Sequence, residues 1–336
     1  MSSRLEELLK ARGRLLADGA TGTNLFEMGL LSGDAPELWN ETQPERIRTL
    51  HQSFVDAGAD IILTNTFGCN RRRLMLHKAE ERTRDLNRLG ARIARGIADA
   101  AGRPVIVAGS VGPTGDILIP LGSLSEDDAM EVFVEQIEGL KEGGVDVVWI
   151  ETMSAIEEMR AAARAAVKVG MPYAVTATFD TAGRTMMGAT PEAVAAFLKE
   201  LKPAPVAIGA NCGVGASDLV YSVLQITEAA PDAIVIAKGN CGIPKFVGTE
   251  VQYTGTPAVM AAYAHLALDS GARIVGGCCG TSSGHLAAMR QALDTHQPGQ
   301  RPDLARIIEC IGPLTAPPAD AWAEPAKRRA GRRRAG

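Results

Sequence analysis

The sequence predicts an α/β protein whose 336 residues form a single-domain (β/α)8 (TIM) barrel. Eight short apolar runs, rich in β-branched residues, recur along the chain, and segments with helix-capping signals separate them. The runs are apolar throughout, which is typical of parallel strands covered on both faces. A doubly wound open sheet is the alternative. That fold would need a G-x-G-x-x-G turn after its first strand, and the sequence has none there.

The predicted strands and helices follow one another in regular alternation. Thr42 and Thr190 each place a capping hydroxyl before a proline, and Ser125 precedes three acidic residues, so each is expected to begin a helix. Glycines end several helices just before the next strand, namely Gly58, Gly143, Gly144 and Gly271. We place the strands at residues 14–18, 60–64, 104–108, 146–150, 173–177, 206–210, 233–237 and 272–276.

The barrel is expected to span residues 1–313, and a Pro-rich stretch followed by a basic tail occupies residues 314–336. The formal net charge is −4, but residues 327–336 hold six basic side chains and no acid. Without that tail, 29 basic side chains stand against 39 acidic ones, and so acidic a body does not favour nucleic acid as a partner. We expect the tail itself to be disordered and solvated.

The sequence also predicts the compartment of the protein. No stretch approaches the roughly 20 apolar residues of a membrane span, and acidic residues near the start replace the apolar run of a signal peptide. We therefore expect a cytoplasmic protein without a membrane contact, whose six cysteines are reduced thiols. The sequence leaves open whether the chain forms a homo-oligomer.

Cysteines gather where a barrel enzyme does its chemistry, at the carboxyl ends of the strands. Cys212 follows the sixth predicted strand, Cys241 the seventh, and the adjacent pair Cys278 and Cys279 the eighth. Three thiolates with one exchangeable position form an open, catalytic zinc site, whereas Cys241 as a fourth ligand would give a closed, structural one. The clustering favours a metal over the alternative that these residues are small apolar fillers. Spacing alone leaves both kinds of zinc site open.

Four stretches at the strand ends carry a resemblance. They read D-G-A-T-G-T at 18–23, T-N-T-F at 64–67, G-A-N-C at 209–212 and G-G-C-C-G-T at 276–281. Together they resemble the homocysteine S-methyltransferase family, which includes betaine–homocysteine methyltransferase and the homocysteine-binding module of cobalamin-dependent methionine synthase. The likeness runs from about Arg14 to Ala292. It implies Zn²⁺ held by Cys212, Cys278 and Cys279, with Cys241 as a neighbour.

The resemblance also implies the reaction, which is methyl transfer to homocysteine to make methionine. A free thiol has a pKa of about 8.5 and is mostly protonated at neutral pH. Coordination to zinc would remove that proton, so the substrate itself supplies the nucleophile and no side chain of the enzyme has to.

The amino-acid end of homocysteine needs an acid for its ammonium group and backbone donors for its carboxylate. The resemblance implies Glu151 as the acid that binds the ammonium, with Asp18 in the same region. Other residues are expected to approach the substrate through the backbone or to support the acids, namely Gly19, Ala20, Thr21, Asn65 and Ser110.

The methyl donor is expected to be betaine or a related onium compound, or a methyl-corrinoid. Quaternary ammonium groups prefer an aromatic cage. Animal-type betaine enzymes have an aromatic residue directly after the ammonium-binding glutamate, where this chain has Thr152, although Trp39, Phe67 and Phe26 could build a different cage. The barrel is expected to act without a pterin- or cobalamin-binding domain of its own, so we expect a corrinoid to come on a separate protein.

Two other functions are alternatives. Lys238, at the end of the seventh predicted strand, could form the Schiff base of an aldolase or another lyase. A non-catalytic scaffold for zinc or thiols would keep the cysteines without needing Glu151 and Asp18.

Overall fold

Eight parallel strands close into a barrel in the computed structural model, which describes residues 2–242, 244–247 and 250–315. The barrel strands are β1 (Leu15–Leu16), β2 (Ile61–Leu63), β3 (Ile106–Val111), β4 (Val147–Met153), β5 (Tyr173–Ala177), β6 (Ala207–Cys212), β7 (Val235–Gly239) and β10 (Ala272–Gly277), and two further strands, β8 (Pro244–Val247) and β9 (Glu250–Tyr253), lie outside the barrel sheet. Their order around the barrel is β1-β10-β7-β6-β5-β4-β3-β2, and a bridge between Ala17 and Ile61 joins the two ends. The eight predicted strands and the (β/α)8 barrel are confirmed.

Strands β8 and β9 form a separate antiparallel hairpin that the sequence analysis did not predict. The hairpin lies between β7 and the helix that follows it along the chain. Its last residue, Tyr253, reaches the cysteines at the barrel mouth, as described below. The hairpin is therefore an insertion on the side of the barrel where parallel strands present their carboxyl ends.

Helices cover the outside of the barrel, and their ends follow the sequence signals with one exception. Thr190 and Ser125 accept backbone N–H groups as predicted, but the predicted cap at Thr42 is wrong, because Gln43 precedes the helix and Thr42 donates to Leu38 O. The helices are α1 (Arg4–Arg12), α2 (Gly22–Glu27), α3 (Trp39–Thr42), α4 (Pro44–Asp56), α5 (Arg71–Leu74), α6 (Thr83–Ala100), α7 (Glu126–Gly143), α8 (Ile156–Val169), α9 (Pro191–Glu200), α10 (Ala216–Ala229), α11 (Pro257–Asp269), α12 (Ser283–Thr295) and α13 (Leu304–Ile311).

Glycines end the helices before three of the strands, as predicted. Gly58, Gly144 and Gly271 have φ angles of 96°, 91° and 99°, which place them in the left-handed region. A residue without a Cβ adopts that region at little cost, so the chain can turn sharply from helix to strand.

The amino-terminal end of the barrel is filled by α1. Leu5, Leu8 and Leu9 of this helix pack into one apolar cluster with the inward-facing residues of the strands, such as Trp149 and Ile236. A larger cluster lies between the strands and the outer helices. With α1 across one end, the open end for chemistry is the one at which the strands carry their carboxyl termini.

The end of the described chain is tied to the outside of the barrel. Ser217 Oγ donates to Gly312 O over 2.8 Å, and the backbone amide of Thr315 donates to the Asp218 carboxylate. The predicted boundary at residue 313 stays a prediction, and the basic tail lies outside the described residues. Among the described residues, no helix is both long enough and apolar enough to cross a membrane.

Candidate metal centre and amino-acid site

Three cysteine sulfurs meet at the open mouth of the barrel. The Sγ atoms of Cys212, Cys278 and Cys279 all lie within 4.8 Å of one another, and those of Cys212 and Cys279 are 4.0 Å apart. A tetrahedral zinc ion with Zn–S bonds of about 2.3 Å would hold its sulfurs about 3.8 Å apart. In the described part of the chain, this is the one group of cysteine, histidine and acidic residues close enough to share a metal ion. The three thiols fit a metal that prefers soft sulfur ligands.

The backbone bends to bring these sulfurs together. Cys212 has a φ angle of 60° and Gly213 one of 75°, so strand β6 ends in two consecutive left-handed residues. This conformation is uncommon for a residue with a Cβ and persists where the surroundings impose it. In the turn that follows Cys278 and Cys279, Gly280 has a φ angle of 80°, and a Cβ there would lie 2.3 Å from the Tyr253 ring. The cysteine pair therefore depends on a glycine that makes room for the hairpin.

Asn211 and Asn240 hold the three cysteine loops to one another. Asn211 donates to Thr152 Oγ1 over 2.7 Å and accepts the Thr152 amide over 2.8 Å, which joins the end of β4 to the strand that carries Cys212. Asn240 donates to Gly213 O over 2.7 Å and accepts the Cys279 amide over 3.1 Å. Each asparagine thus links segments that are distant in sequence. Each of them directly precedes a cysteine and a glycine, Cys212-Gly213 and Cys241-Gly242, and this repeat is the sequence signal by which both could have been found.

Interactions within the cluster shift the pKa values of its thiols in opposite directions. Hydrogen bonds from Cys212 and then Cys278 hold the pKa of the Cys279 thiol well below its usual range. The Tyr253 hydroxyl also donates to Cys279 Sγ. The same bonds, first with Cys278 and then with Cys279, raise the pKa of Cys212. Such a cluster shares its protons, and a cation bound between the sulfurs would displace them. Tyr253 was missed because it belongs to the unpredicted hairpin.

Cys241 lies beside this group and not in it. Its Sγ donates to Gly255 O over 3.4 Å, and its amide donates to Cys279 O over 2.9 Å. Burial raises the pKa of this thiol to about 11. The residue therefore supports the cysteine loop through its backbone.

Glu151 stands at the end of β4 with its carboxylate almost fully buried. Ser110 Oγ donates to Glu151 Oε1 over 2.5 Å, and the other oxygen, Oε2, has no hydrogen-bond partner among the described residues. Burial raises the pKa of Glu151 to about 7, against the opposing effect of the Lys238 charge. Glu151 is only 7% exposed, and Oε2 is the oxygen of its carboxylate that stays open to a further partner.

Asp18 is equally buried, but both of its oxygens have partners. Lys238 Nζ donates to Oδ1 over 2.7 Å, and the Leu63 amide donates to Oδ2 over 2.7 Å. Lys238 itself is 2% exposed, so the ion pair lies out of solvent. The sequence analysis considered Lys238 only as a Schiff-base residue and did not expect this pairing.

The segment after Asp18 contacts the loop of the cysteine pair. A Cβ on Gly19 would lie 2.5 Å from Thr281 O, and the Ala20 amide donates to the same oxygen over 3.0 Å. Thr21 stands directly before α2, without a capping bond from its side chain. The Ala20 amide is therefore already occupied, and this segment packs against the loop that carries Cys278 and Cys279.

Asn65 has a different environment from the one expected. Its Nδ2 donates to Pro36 O over 2.8 Å and to Asn40 Oδ1 over 3.0 Å, so its side chain holds the segment before α3. Ser110, by contrast, is brought directly to Glu151. The structure thus joins Ser110 with the acids and ties Asn65 to a neighbouring loop.

A model of the homocysteine S-methyltransferase family matches residues 15–293, which include all eight barrel strands and the three clustered cysteines. The chain belongs to the homocysteine S-methyltransferase family. The sequence resemblance to this family is therefore confirmed over nearly the whole barrel.

Individual relatives of this family agree with the match. The methionine synthases of Mycobacterium tuberculosis and Mycobacterium leprae are each 31% identical over 296 residues, which cover 83% of this chain and 24% of each relative. The chain spans about a quarter of the length of these curated relatives. Among solved structures, the metallated form of the homocysteine methyltransferase MmuM from Escherichia coli superposes with a TM-score of 0.72 at 24% identity, over 85% of this chain and 99% of that one. That likeness shows the fold.

Proposed function

We propose that the protein is a zinc-dependent homocysteine S-methyltransferase that makes methionine. The observation that carries the proposal is the juxtaposition of a three-cysteine cluster with a buried, half-free carboxylate at one barrel mouth. A thiol amino acid needs both features, since its sulfur must be activated and its ammonium must be neutralised. The family to which the chain belongs supports the same reaction.

Cys212, Cys278 and Cys279 would hold the metal ion. When bound, Zn²⁺ on three thiolates would lower the pKa of an incoming thiol and keep its sulfur nucleophilic at neutral pH. The chain contributes the geometry, because Asn211 and Asn240 fix the loops on which the cysteines stand. No described side chain has to act as the nucleophile.

Glu151 would bind the ammonium group of homocysteine through its free Oε2. Ser110 orients the carboxylate by donating to Oε1, so the free oxygen has a fixed position. A hydrogen bond to a charged group contributes about 1.5–3 kcal/mol, which is enough to select an amino acid over a simple thiol.

The methyl donor is proposed to be carried by a second protein, as a methyl-corrinoid would be. Apart from Val167, the large apolar side chains exposed in the described part of the chain lie on segments that follow β1, β2, β3 and β5 on the open face of the barrel. They are Phe26, Leu31, Phe67, Met75, Leu76, Ile117, Ile119, Leu121, Met186 and Met187. Apolar side chains concentrated on one face are typical of a protein-binding surface.

A small onium donor such as betaine is the second candidate. Trp39, one member of the hypothetical cage, is 9% exposed and already carries the Arg46 guanidinium 4.9 Å from its ring centre. Phe26 and Phe67 remain exposed, so two aromatic rings stand free for a cationic methyl group.

The metal assignment is tested by elemental analysis of cysteine variants. The purified protein should contain about one zinc ion per chain, lost in Cys212→Ala and Cys279→Ala and retained in Cys241→Ala. Cys241→Ala is the matched control, because it removes a thiol next to the cluster without removing a ligand. Loss of zinc from Cys241→Ala would overturn the three-ligand site.

The donor is tested by supplying homocysteine with betaine, dimethylsulfoniopropionate, S-methylmethionine or methylcobalamin and measuring methionine. We expect turnover with methylcobalamin and none with betaine. Turnover with betaine at low millimolar concentration would instead establish the onium route. If none of the four donors gives methionine, the proposed chemistry is overturned.

The lyase alternative is not supported by the geometry. A Schiff-base lysine must lose its proton. Burial lowers the pKa of Lys238, but nearby negative charges, first that of Asp18, raise it above its usual value. A lysine held as a cation in a buried ion pair is a poor nucleophile.

A further inference from the structure

Two acids and one lysine lie buried together at the barrel mouth. Asp18, Glu151 and Lys238 are 0%, 7% and 2% exposed. Lys238 Nζ contacts both Asp18 Oδ1 and, over 3.2 Å, the Asp18 carbonyl oxygen. Because the Leu63 amide takes Asp18 Oδ2, the Asp18 carboxylate is fully engaged before any substrate arrives.

The path of the Lys238 side chain is built into the sheet. Lys238 stands on β7 and Asp18 follows β1, and β10 lies between these two strands. The residue of β10 beside Lys238 is Gly276, where a Cβ would lie 3.0 Å from Lys238 Cγ and 2.8 Å from Ala17 Cβ. A glycine at this position therefore lets the lysine cross β10 and reach Asp18.

When both carboxyl groups are ionised, the charges of Asp18, Glu151 and Lys238 add to a single negative charge. The charge of Lys238 also acts on Glu151, whose Oε2 has no hydrogen-bond partner among the described residues. Burial lowers the pKa of Lys238, and the negative charges of Asp18 and then Glu151 raise it, so that the net change is an increase. One further cation would balance the trio, and the substrate brings one in its ammonium group.

We propose that Lys238 is a positioning and specificity-determining residue, which occupies the cation site of Asp18 and so leaves Glu151 as the one carboxylate that receives the substrate ammonium. The inference rests on the proposed function and deepens it. It assigns an indirect role to Asp18, which the resemblance placed only in the same region as the substrate ammonium. The site then accepts a thiol amino acid with one ammonium group.

If Asp18 and Glu151 compete for Lys238, a second substitution should restore the binding that the first one weakens. In Asp18→Asn, Lys238 loses its carboxylate and turns to Glu151, so the ammonium loses its acceptor although Glu151 is intact. In the double variant Asp18→Asn/Lys238→Met, the competing cation is gone and Glu151 is free again. Removing the second residue should therefore restore what removing the first one destroyed.

The experiment is calorimetric titration of the zinc-loaded protein with homocysteine and with 4-mercaptobutyrate, which lacks only the amino group. Asp18→Asn should bind homocysteine about tenfold or more weakly and 4-mercaptobutyrate unchanged. The double variant should bind homocysteine within about threefold of the wild type. If it binds as weakly as Asp18→Asn, Asp18 contacts the ammonium directly and the proposal is overturned.

A double-mutant cycle of Asp18 and Glu151 is the second test, and it does not depend on the folding of a Lys238 variant. Asp18→Asn/Glu151→Gln should bind homocysteine no more weakly than Glu151→Gln alone, because both changes remove the same interaction. Additive losses would overturn the proposal. Zinc content and melting temperature of each variant separate these effects from loss of structure. Failure of the wild type to bind homocysteine would instead refute the proposed function.

Discussion

At the scale of single residues, the buried acids of the mouth show that burial alone does not define a binding site. Asp18 and Glu151 are both desolvated, yet Asp18 has partners on both oxygens and Glu151 on one. A buried carboxylate without a partner is costly, so an incoming cation is stabilised there. In the proposed site, the free oxygen, and not the acid as such, would receive the substrate ammonium.

Replacement of Glu151 by glutamine should weaken homocysteine binding selectively. The loss of a charged acceptor is expected to raise the KM for homocysteine by about tenfold or more, with zinc content unchanged. Steady-state kinetics with elemental analysis measure both quantities. Glu158→Gln is the matched control, since Glu158, on the outer helix α8, is also buried but accepts a hydrogen bond from Thr114. An unchanged KM in Glu151→Gln would contradict the assignment.

His51 makes the fold sensitive to acid. The residue is fully buried on α4, and neither ring nitrogen has a hydrogen-bond partner in the part of the chain that the structure describes. Burial lowers the pKa of His51 to about 4. Below the ordinary value of 6.5 the unfolded chain takes up a proton that the folded chain refuses. The free energy of unfolding should therefore fall as the pH drops from 6.5 towards 4, by about 3 kcal/mol in total.

Urea denaturation at pH 7.5 and pH 5 measures this effect. His51→Leu should lose less stability than the wild type over that interval, because the group that titrates is gone. His77→Leu serves as the control, since His77 is exposed. Equal losses in the wild type and in His51→Leu would show that other groups cause the acid sensitivity.

At the scale of elements, the barrel strands supply a rigid frame and the turns after them supply the chemistry. Strand β6 ends in two left-handed residues, and Thr152 in β4 has a φ angle of 62°. Asn211 connects these two strained places through both atoms of its amide group, and Thr176 Oγ1 donates to its oxygen as well. Strain of this kind is maintained by the surrounding hydrogen bonds.

Replacement of Asn211 by alanine should loosen the turn that carries Cys212. Residues that orient metal ligands typically contribute about 10–100-fold to metal affinity, so zinc should bind that much more weakly. Competition with a chromophoric chelator measures the affinity. Asn65→Ala should leave it unchanged, because this equally buried asparagine holds the 36–40 segment. Identical zinc affinities for the two variants would contradict the role of Asn211.

At the scale of the whole molecule, the two ends of the barrel have different tasks. Helix α1 plugs the amino-terminal end with leucines, which makes this end part of the core. The cysteine cluster, the acids and most of the exposed large apolar side chains among the described residues lie at the other end. Stability and chemistry are thus separated along the barrel axis, as is usual for this fold.

Zinc should stabilise the whole barrel, because it joins the loops after β6 and β10. At a free zinc concentration a hundred times Kd, the gain of about 2.7 kcal/mol should raise the melting temperature by about 5 °C. Thermal unfolding with zinc and with excess chelator measures the shift. Cys212→Ala should show little of it and Cys241→Ala all of it. A full shift in Cys212→Ala would place the stabilising metal elsewhere.

The sequence by itself determined the barrel and the position of the cysteines at its mouth. Apolar runs and glycine stops are local signals, and they located all eight strands because each depends on a few consecutive residues. The cysteine motifs likewise follow directly from strand ends that the fold must bring to one edge. The hairpin β8–β9 was not predicted, because its residues lie in the connection between β7 and α11, where the regular (β/α)8 pattern has no strand.

Only the tertiary structure decided how the charges are distributed. Lys238 and Asp18 are 220 residues apart in sequence, and neither position indicates the other. Their pairing depends on the strand order, on a glycine between them and on a few ångströms of side-chain reach. Because electrostatic energy depends on distance and burial, and both are set by the folded barrel, the sequence could name the acids of the site but not which of them is free.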